Sequence, residues 1–206
     1  MFNDPLSDRD LYWIGYFRAD GCLSDRGYSI SAIFAQKHLE PVEAFRQYIG
    51  ATNEVIFSER ESNFGSNPLH KINSTKPGKR FKELGVKTDL RPDIYEQPAF
   101  WRGLLDGDGS VGMVKNRGLL YPSIVWSGRL EDMQHCSEWV AKTLDRKAPK
   151  VGVARSIFRV GLVGTPAFNL IKLLYENRYS ALPYKVEAAA KALEWKIKHE
   201  KMVRNA

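Results

Sequence analysis

Two spacings alternate along this chain, apolar residues three to four apart and apolar residues at every second position, and they do so in the same order twice. Residues 9–20 and 98–108 read as apolar helices, each expected to close on a glycine, Gly21 or Gly109, just past its last turn. Strand-like alternation follows, around 28–36 after the first helix and at 111–115 with 119–127 after the second. An amphipathic helix comes next. Pro41 falls in its first turn, Val42, Phe45 and Ile49 form its apolar face, and Gly50 stops it. The counterpart in the second half carries the stripe Leu130, Met133, Val140 and Leu144. Second strand pairs are expected at 53–60 with 68–74, and at 149–154 with 157–163. Pro77 opens a third helix bearing Phe81 and Leu84, and Thr165-Pro166 caps its counterpart bearing Phe168, Ile171 and Leu174. A basic amphipathic helix with Val186, Ala190, Leu193 and Ile197 ends the chain. The order αββαββα, written twice, predicts a mixed α/β fold of the α+β type with antiparallel sheets.

The duplication extends to individual residues. LYWIGYFRADGCL at 11–23 aligns with AFWRGLLDGDGSV at 99–111, pairing Trp13 with Trp101, Gly15 with Gly103, Asp20 with Asp108 and Gly21 with Gly109 at one offset of 88. Leu39-Glu40 pairs with Leu130-Glu131, and Tyr48-Ile49 with Trp139-Val140, at an offset of 91. A longer hairpin in the second half accounts for the drift. The first repeat is placed at 1–88, a connector at 89–97, and the second repeat with the terminal helix at 98–206. The connector has no Gly/Ser-rich stretch, so the halves are expected to pack together.

Composition narrows the class. The 206 residues are 43% hydrophobic and 27% charged, as in ordinary globular proteins. No apolar run reaches membrane-span length and the N-terminus is too polar for a signal peptide, which points to an intracellular protein. Cys22 and Cys136 form no disulfide framework and read as small core residues; the four histidines show no metal-ligand spacing. A net charge of +7 favours a polyanionic partner.

The chemistry concentrates in the repeated helices. Gly15 and Ala19 in one, and Gly103 and Gly107 in the other, lie four apart on one face and let two helix backbones touch. Packed that way, the helices end side by side and bring Asp20 next to Asp108. Helix C-termini carry partial negative charge, and the two carboxylates repel each other. A shared hard cation such as Mg²⁺ relieves both costs, and can polarise a phosphate and activate water. A single Asp-Gly is more simply a helix-ending turn; two at matching positions argue for a site. A calcium loop at Asp106 fails, because the sixth position is Val111 and the twelfth Arg117.

WIGYFRADG and WRGLLDGDG resemble the two signature helices of the LAGLIDADG homing endonucleases in their single-chain, two-repeat form. The resemblance implies paired motif helices between the halves, saddle-shaped sheets lying in the DNA major groove, and metals at Asp20 and Asp108, with Ala19 and Gly107 beside them. It implies Mg²⁺ or Mn²⁺ as cofactor, with Ca²⁺ able to occupy the site without supporting cleavage. Gln36 fits the polar residue that orders water near the metals; Ser127 stands at the equivalent place and departs from the commoner Gln. Lys87 and Lys185 match the basic residues near the scissile phosphates. Arg18 replaces the acid that Asp106 keeps in the second copy, so the halves are not equivalent.

For DNA contact the reading selects Ser29, Ser31, Lys37, Arg60 and Lys71 in the first half. In the second it selects Lys115, Arg117, Tyr121, Ser123, Ser127, Arg129, Arg155 and Arg159, with the two last arginines on one strand face. The function implied is site-specific, double-strand DNA cleavage by a pseudo-dimeric monomer encoded in an intron, needing no protein partner. The alternative is a non-catalytic binder on the same fold, such as an RNA maturase or a DNA-binding regulator.

Overall fold

Ser7 starts the first helix. Its hydroxyl accepts from the Asp10 amide at 3.1 Å while the Asp10 carboxylate accepts from the Ser7 amide at 3.1 Å, satisfying two donors that a helix start leaves open. The same carboxylate accepts from Tyr48 Oη at 2.8 Å and so ties this start to the second helix. The computed structural model describes the backbone at 2–27, 29–62 and 65–204, and the side chains of those stretches apart from 60–62, 65–67 and 196–204.

The first half runs α1 (Asp8–Asp20), β1 (Gly21–Asp25), β2 (Ile30–Gln36), α2 (Leu39–Tyr48), β3 (Ile56–Ser62), β4 (Gly65–Ser74) and α3 (Gly78–Glu83). A 3-10 turn at Pro92–Glu96 leads to α4 (Pro98–Asp108), β5 (Gly109–Asn116), β6 (Leu119–Gly128), α5 (Leu130–Leu144), β7 (Gly152–Ala154), β8 (Ile157–Val163), α6 (Thr165–Tyr175) and α7 (Pro183–Arg204). The strands form two four-stranded antiparallel sheets, ordered β1-β2-β4-β3 and β5-β6-β8-β7. The mixed α+β class and the doubled element order are therefore as the spacing predicts. None of the helices among the described residues is long and apolar enough to cross a membrane.

Alternation sets the sheet faces. On β2 Ala32 and Phe34 are buried against helices, and on β6 Pro122, Ile124 and Trp126 are. The residues between them, Ser31, Ile33 and Ala35 in one sheet and Tyr121, Ser123, Val125 and Ser127 in the other, take the open face. Inside, Trp13, Phe17, Phe34, Phe45 and Phe81 form one aromatic cluster, with the Phe17 and Phe81 rings 4.7 Å apart; Trp101, Trp126 and Trp139 form its counterpart.

Several local expectations are revised. Gly21 (φ −84°) and Gly109 (φ −132°) are extended, so neither ends its helix in the left-handed cap conformation. They are glycines for space: a Cβ on Gly21 would enter the Phe17 ring, and one on Gly109 would meet the Leu105 and Val125 carbonyl oxygens at 2.8 Å. Strand β1 starts at Gly21, earlier than the strand expected from residue 28, because its single inward apolar residue, Leu23, gives little alternation to read. β7 starts at Gly152, and the Pro149 carbonyl accepts instead from Ser137 Oγ at 2.6 Å. Gly164 (φ 77°), not Thr165, caps α6, as β8 turns out with the Gly164 amide donating to the Pro122 carbonyl at 2.8 Å. Cys136 is buried but Cys22 is exposed on β1, and Leu130 is 44% exposed. On α7 the buried stripe is Lys185, Ala189 and Ala192, with Leu193 partly buried against the core as expected; Val186 and Ala190 are exposed, while the side chain of Ile197 lies outside those described.

Helices α1 and α4 lie between the sheets and touch backbone to backbone. A Cβ on Gly15 would meet the Leu104 amide nitrogen at 2.9 Å and run into the Phe100 carbonyl; one on Gly103 would meet the Tyr16 amide nitrogen at 2.8 Å and run into the Tyr12 carbonyl. Alanine favours a helix over glycine by about 1 kcal/mol. The clash with rigid backbone outweighs that gain. Gly103→Ala is expected to destabilise the protein by about 1–3 kcal/mol in urea unfolding. Gly112→Ala, where nothing lies within 4 Å, should shift stability by about 0.5 kcal/mol or less.

Candidate active site

The seam between α1 and α4 ends at Ala19 and Gly107. The Cβ that Gly107 lacks would press on the Ala19 methyl and lie 3.0 Å from an Asp20 carboxylate oxygen. Asp20 therefore leans over the last turn of the opposite helix, whose final residue is Asp108. Both carboxylates are partly buried and both ionise late. Burial pushes the Asp20 carboxyl up to about 6; the Gln36 side chain, hydrogen-bonded to it, acts the other way, and the Asp108 charge adds to the rise. Burial also raises Asp108, opposed by Lys87 and Lys185.

Two lysines stop the two helix ends. Lys87 Nζ donates to the Arg18 carbonyl at 2.7 Å and the Phe17 carbonyl at 3.4 Å. Lys185 Nζ donates to the Asp106 carbonyl at 2.6 Å, the Gly109 carbonyl at 3.1 Å and the Leu105 carbonyl. Each ammonium thus sits on open carbonyls at the negative end of its helix, beside the aspartates. Burial lowers both lysines. Nearby Arg129 and Arg18 lower Lys87 further, whereas Asp106, Asp20 and Asp108 pull Lys185 back up. Their amines face inward, so they do not stand as free surface cations.

Among the described residues no set of three or more His, Cys, Asp or Glu side chains gathers around one point. What the seam offers is two carboxylates with backbone oxygens nearby. Mg²⁺ is commonly held by one or two carboxylates, with water and substrate phosphate filling the remaining positions. The donor set fits a hard divalent cation. A cavity of about 580 Å³ opens beside Asp108, with Ala19, Lys87, Arg129 and Phe158 on its walls.

The remaining candidates scatter by register. Ser31 faces Ser24, and Lys71 faces Ala35, on the open side of the first sheet. Ser123 opposite Val163, and Ser127 opposite Arg159, share the open side of the second. Lys37 is exposed just past β2, and Ser29 lies in the β1–β2 turn, its carbonyl accepting from the Arg26 amide at 3.0 Å. Arg117 (φ 48°) and Arg155 (φ 58°) occupy hairpin turns, so Arg155 lies off β8 and does not share a strand face with Arg159 as expected. Lys115 is exposed next to the β5–β6 hairpin turn, paired with Leu120 on the side of Val111 and Met113. Arg129 bonds inward, to the Lys87 carbonyl at 3.4 Å and to Asp132 at 3.4 Å. The Tyr121 ring lies 6.0 Å from that of Trp195 on α7. Arg60 pairs with Asn67 in the β3–β4 ladder, but its side chain lies outside those described.

Sequence reading missed the residues that surround the motif ends. Asp132 reads as an ordinary acid in the first turn of α5, and Tyr12, Tyr95 and Tyr175 read as core aromatics. Only their contacts single them out, and no spacing encodes those contacts.

The architecture is the two-repeat LAGLIDADG fold. The homing endonuclease I-WcaI, bound to its DNA recognition sequence, superposes with a TM-score of 0.67 over 90% of each chain at 12% identity. I-LtrWI bound to target DNA gives 0.58 at 9% identity, covering 96% of this chain and 92% of the other. I-GzeII in complex with its DNA target gives 0.57 at 11% identity, covering 92% and 91%. No protein-family model matches the chain, and no curated protein matches it in sequence. At these identities the likeness is one of fold.

The raised Asp20 acidity has a consequence for stability. Its folded carboxyl holds a proton up to about 6, against an ordinary 3.8, so ionising it opposes folding. The penalty is absent below 3.8, grows through the interval and is complete above 6, on the order of 3 kcal/mol. In chelator, Asp20→Asn is expected to melt higher than the parent chain above pH 6, with the gap closing below 3.8. Equal melting temperatures across that range would remove the burial argument.

Proposed function

We propose that this chain is a site-specific DNA endonuclease of the LAGLIDADG homing type, cutting both strands of a duplex with a divalent cation, Mg²⁺ or Mn²⁺, held at Asp20 and Asp108. The observation that carries the reading is the pairing of those two carboxylates at the helix seam, one from each repeat, on a fold shared with endonucleases bound to DNA. When bound, the cation supplies charge neutralisation at the phosphate and a water acidic enough to attack near neutral pH.

The chain's own residues do the rest. At neutral pH Asp20 has ionised, since its carboxyl titrates at about 6, and it presents a charged oxygen beside Gly107. Gln36 holds that carboxylate by a side-chain hydrogen bond and fixes its orientation. Lys87 and Lys185 keep the two helix ends from repelling a phosphate as well as each other, because each neutralises carbonyls that would otherwise face the substrate. Ala19 and Gly107 are small, which leaves the floor between the acids clear.

Recognition falls to the open sheet faces. Ser31, Lys71, Ser123, Ser127 and Arg159 present hydrogen-bonding groups suited to base edges, while Lys37, Arg117 and Arg155 at the rims suit phosphates. The net charge of +7 supports affinity for a polyanion. The two repeats, 1–88 and 98–206 about the connector 89–97, supply both half-sites, so one chain suffices.

Selection of cleaved duplexes from a randomised library in Mg²⁺ tests the reading and defines the target. Asp20→Asn and Asp108→Asn should each abolish double-strand cutting of the selected duplex while retaining its binding. Full cutting by either variant would refute the mechanism. Absence of any cut duplex, together with tight binding of structured RNA, would favour a maturase on the same fold.

A further inference from the structure

The residue two places before each motif aspartate carries opposite charge in the two repeats, and each is buried in its own polar cluster. Arg18 Nη1 donates to the carbonyls of Val86 at 2.9 Å, Thr88 at 3.1 Å and Gly85 at 3.3 Å. Those carbonyls flank Lys87, and Lys87 Nζ returns to the Arg18 carbonyl at 2.7 Å. Arg18 therefore holds that segment both at its root and at the tip of the lysine. Its charge is balanced by Asp132, 2.7 Å from Nε, and Tyr95 Oη accepts from Nη2 at 3.1 Å.

The second repeat uses the same arrangement with donors and acceptors exchanged. Asp106 accepts from Ser180 Oγ at 2.6 Å, Tyr175 Oη at 2.6 Å and Tyr12 Oη at 2.8 Å, and Tyr12 Oη accepts from the Ala181 amide at 2.9 Å. That segment leads into α7 and Lys185, whose Nζ returns to the Asp106 carbonyl at 2.6 Å. In the first repeat the lysine segment offers carbonyls and is gripped by a donor. In the second it offers the Ser180 hydroxyl directly and the Ala181 amide through Tyr12, and is gripped by an acceptor.

Resting on the endonuclease reading for their purpose, we infer that Arg18 and Asp106 are positioning residues, each anchoring the segment that delivers its own repeat's lysine to the site. Arg18 is thus no degenerate copy of the acid at Asp106. An acid at position 18 would face three carbonyl oxygens and Asp132, so restoring the symmetric residue should do more harm than removing the side chain. A plain packing role makes a different forecast, since it ties neither residue to one particular lysine.

Amine labelling of the full chain without DNA, by an acetyl succinimidyl ester with peptide mass spectrometry, separates the two. Lys87 and Lys185 should label slowly beside Lys79, whose side chain is 84% exposed. Arg18→Ala should speed Lys87 labelling by about tenfold and leave Lys185 unchanged, and Asp106→Asn should do the reverse. Arg18→Met combined with Asp132→Leu removes the buried pair without stranding a charge, which keeps the fold, and should free Lys87 alone. Arg18→Asp should exceed Arg18→Ala. Both lysines rising together, or Lys87 staying protected in the double variant, would overturn the assignment. On the selected duplex, Arg18→Ala and Lys87→Ala should slow the same strand, through kcat and not KM, and the pair together no more than one alone; additive losses would also overturn it. Paired labelling changes in a chain that cuts no duplex would leave the anchor standing and remove the endonuclease reading.

Discussion

Two helices whose backbones touch must end together, and everything at the centre of this molecule answers to that. Gly15 and Gly103 permit the contact because neither has a Cβ to hold the Phe100 or Tyr12 carbonyl away. The contact places two negative helix ends and two aspartates in one small volume. Charge of that density needs a positive answer from inside the fold, and the lysines provide part of it. Their ammonium groups bond to carbonyls at the helix ends, and their charge offsets only part of the burial that raises Asp20 to about 6. On the proposed function, a cation of high charge would complete the balance. Instability at the seam and affinity for such an ion would then share one electrostatic cause.

The repeats preserve shape more faithfully than polarity. Trp13 and Trp101 occupy equivalent buried places, yet the Trp101 indole donates to the Tyr95 carbonyl at 2.7 Å while the Trp13 indole nitrogen has no partner among the described residues. Arg18 and Asp106 differ in sign but meet clusters of matching complement. Ridges and glycines are constrained by a two-fold contact that both helices share, so they change together. The polar networks also reach neighbours that differ between the repeats, Asp132 and Tyr95 for Arg18 and Tyr175 and Ser180 for Asp106, so they are free to diverge.

Such a division explains what the sequence reveals. Helix and strand order, the seam glycines and the paired aspartates are legible because periodicity and spacing encode them directly. The anchoring clusters are not, since Asp132 lies 114 positions from Arg18 and nothing local marks it. The buried face of α7 is hard to read for a related reason: Lys185 is polar by type but buried by its three carbonyl partners, so a hydrophobicity pattern passes over it. Arg129 and Lys115 look alike as basic loop residues, and only register and the Asp132 contact tell them apart. Residues whose role is a long-range polar contact carry no period.

The inward lysines also bear on how DNA would be held. With Lys87 and Lys185 engaged at the helix ends, the attraction for phosphate would rest on rim residues such as Lys37, Arg117 and Arg155, spread about the sheets. The open faces themselves carry Ile33, Ala35, Val125 and Val163 between a few serines, Lys71 and Arg159. Apolar side chains at base edges discriminate chiefly by contact with the thymine methyl, whereas Lys and Arg are suited to the acceptors of guanine. On the proposed function, affinity would come from many weak, salt-sensitive contacts at the periphery, and sequence choice from a small number of polar side chains on the open faces. Orientation of the duplex over the seam depends on the second group, because the first is indifferent to register along the DNA.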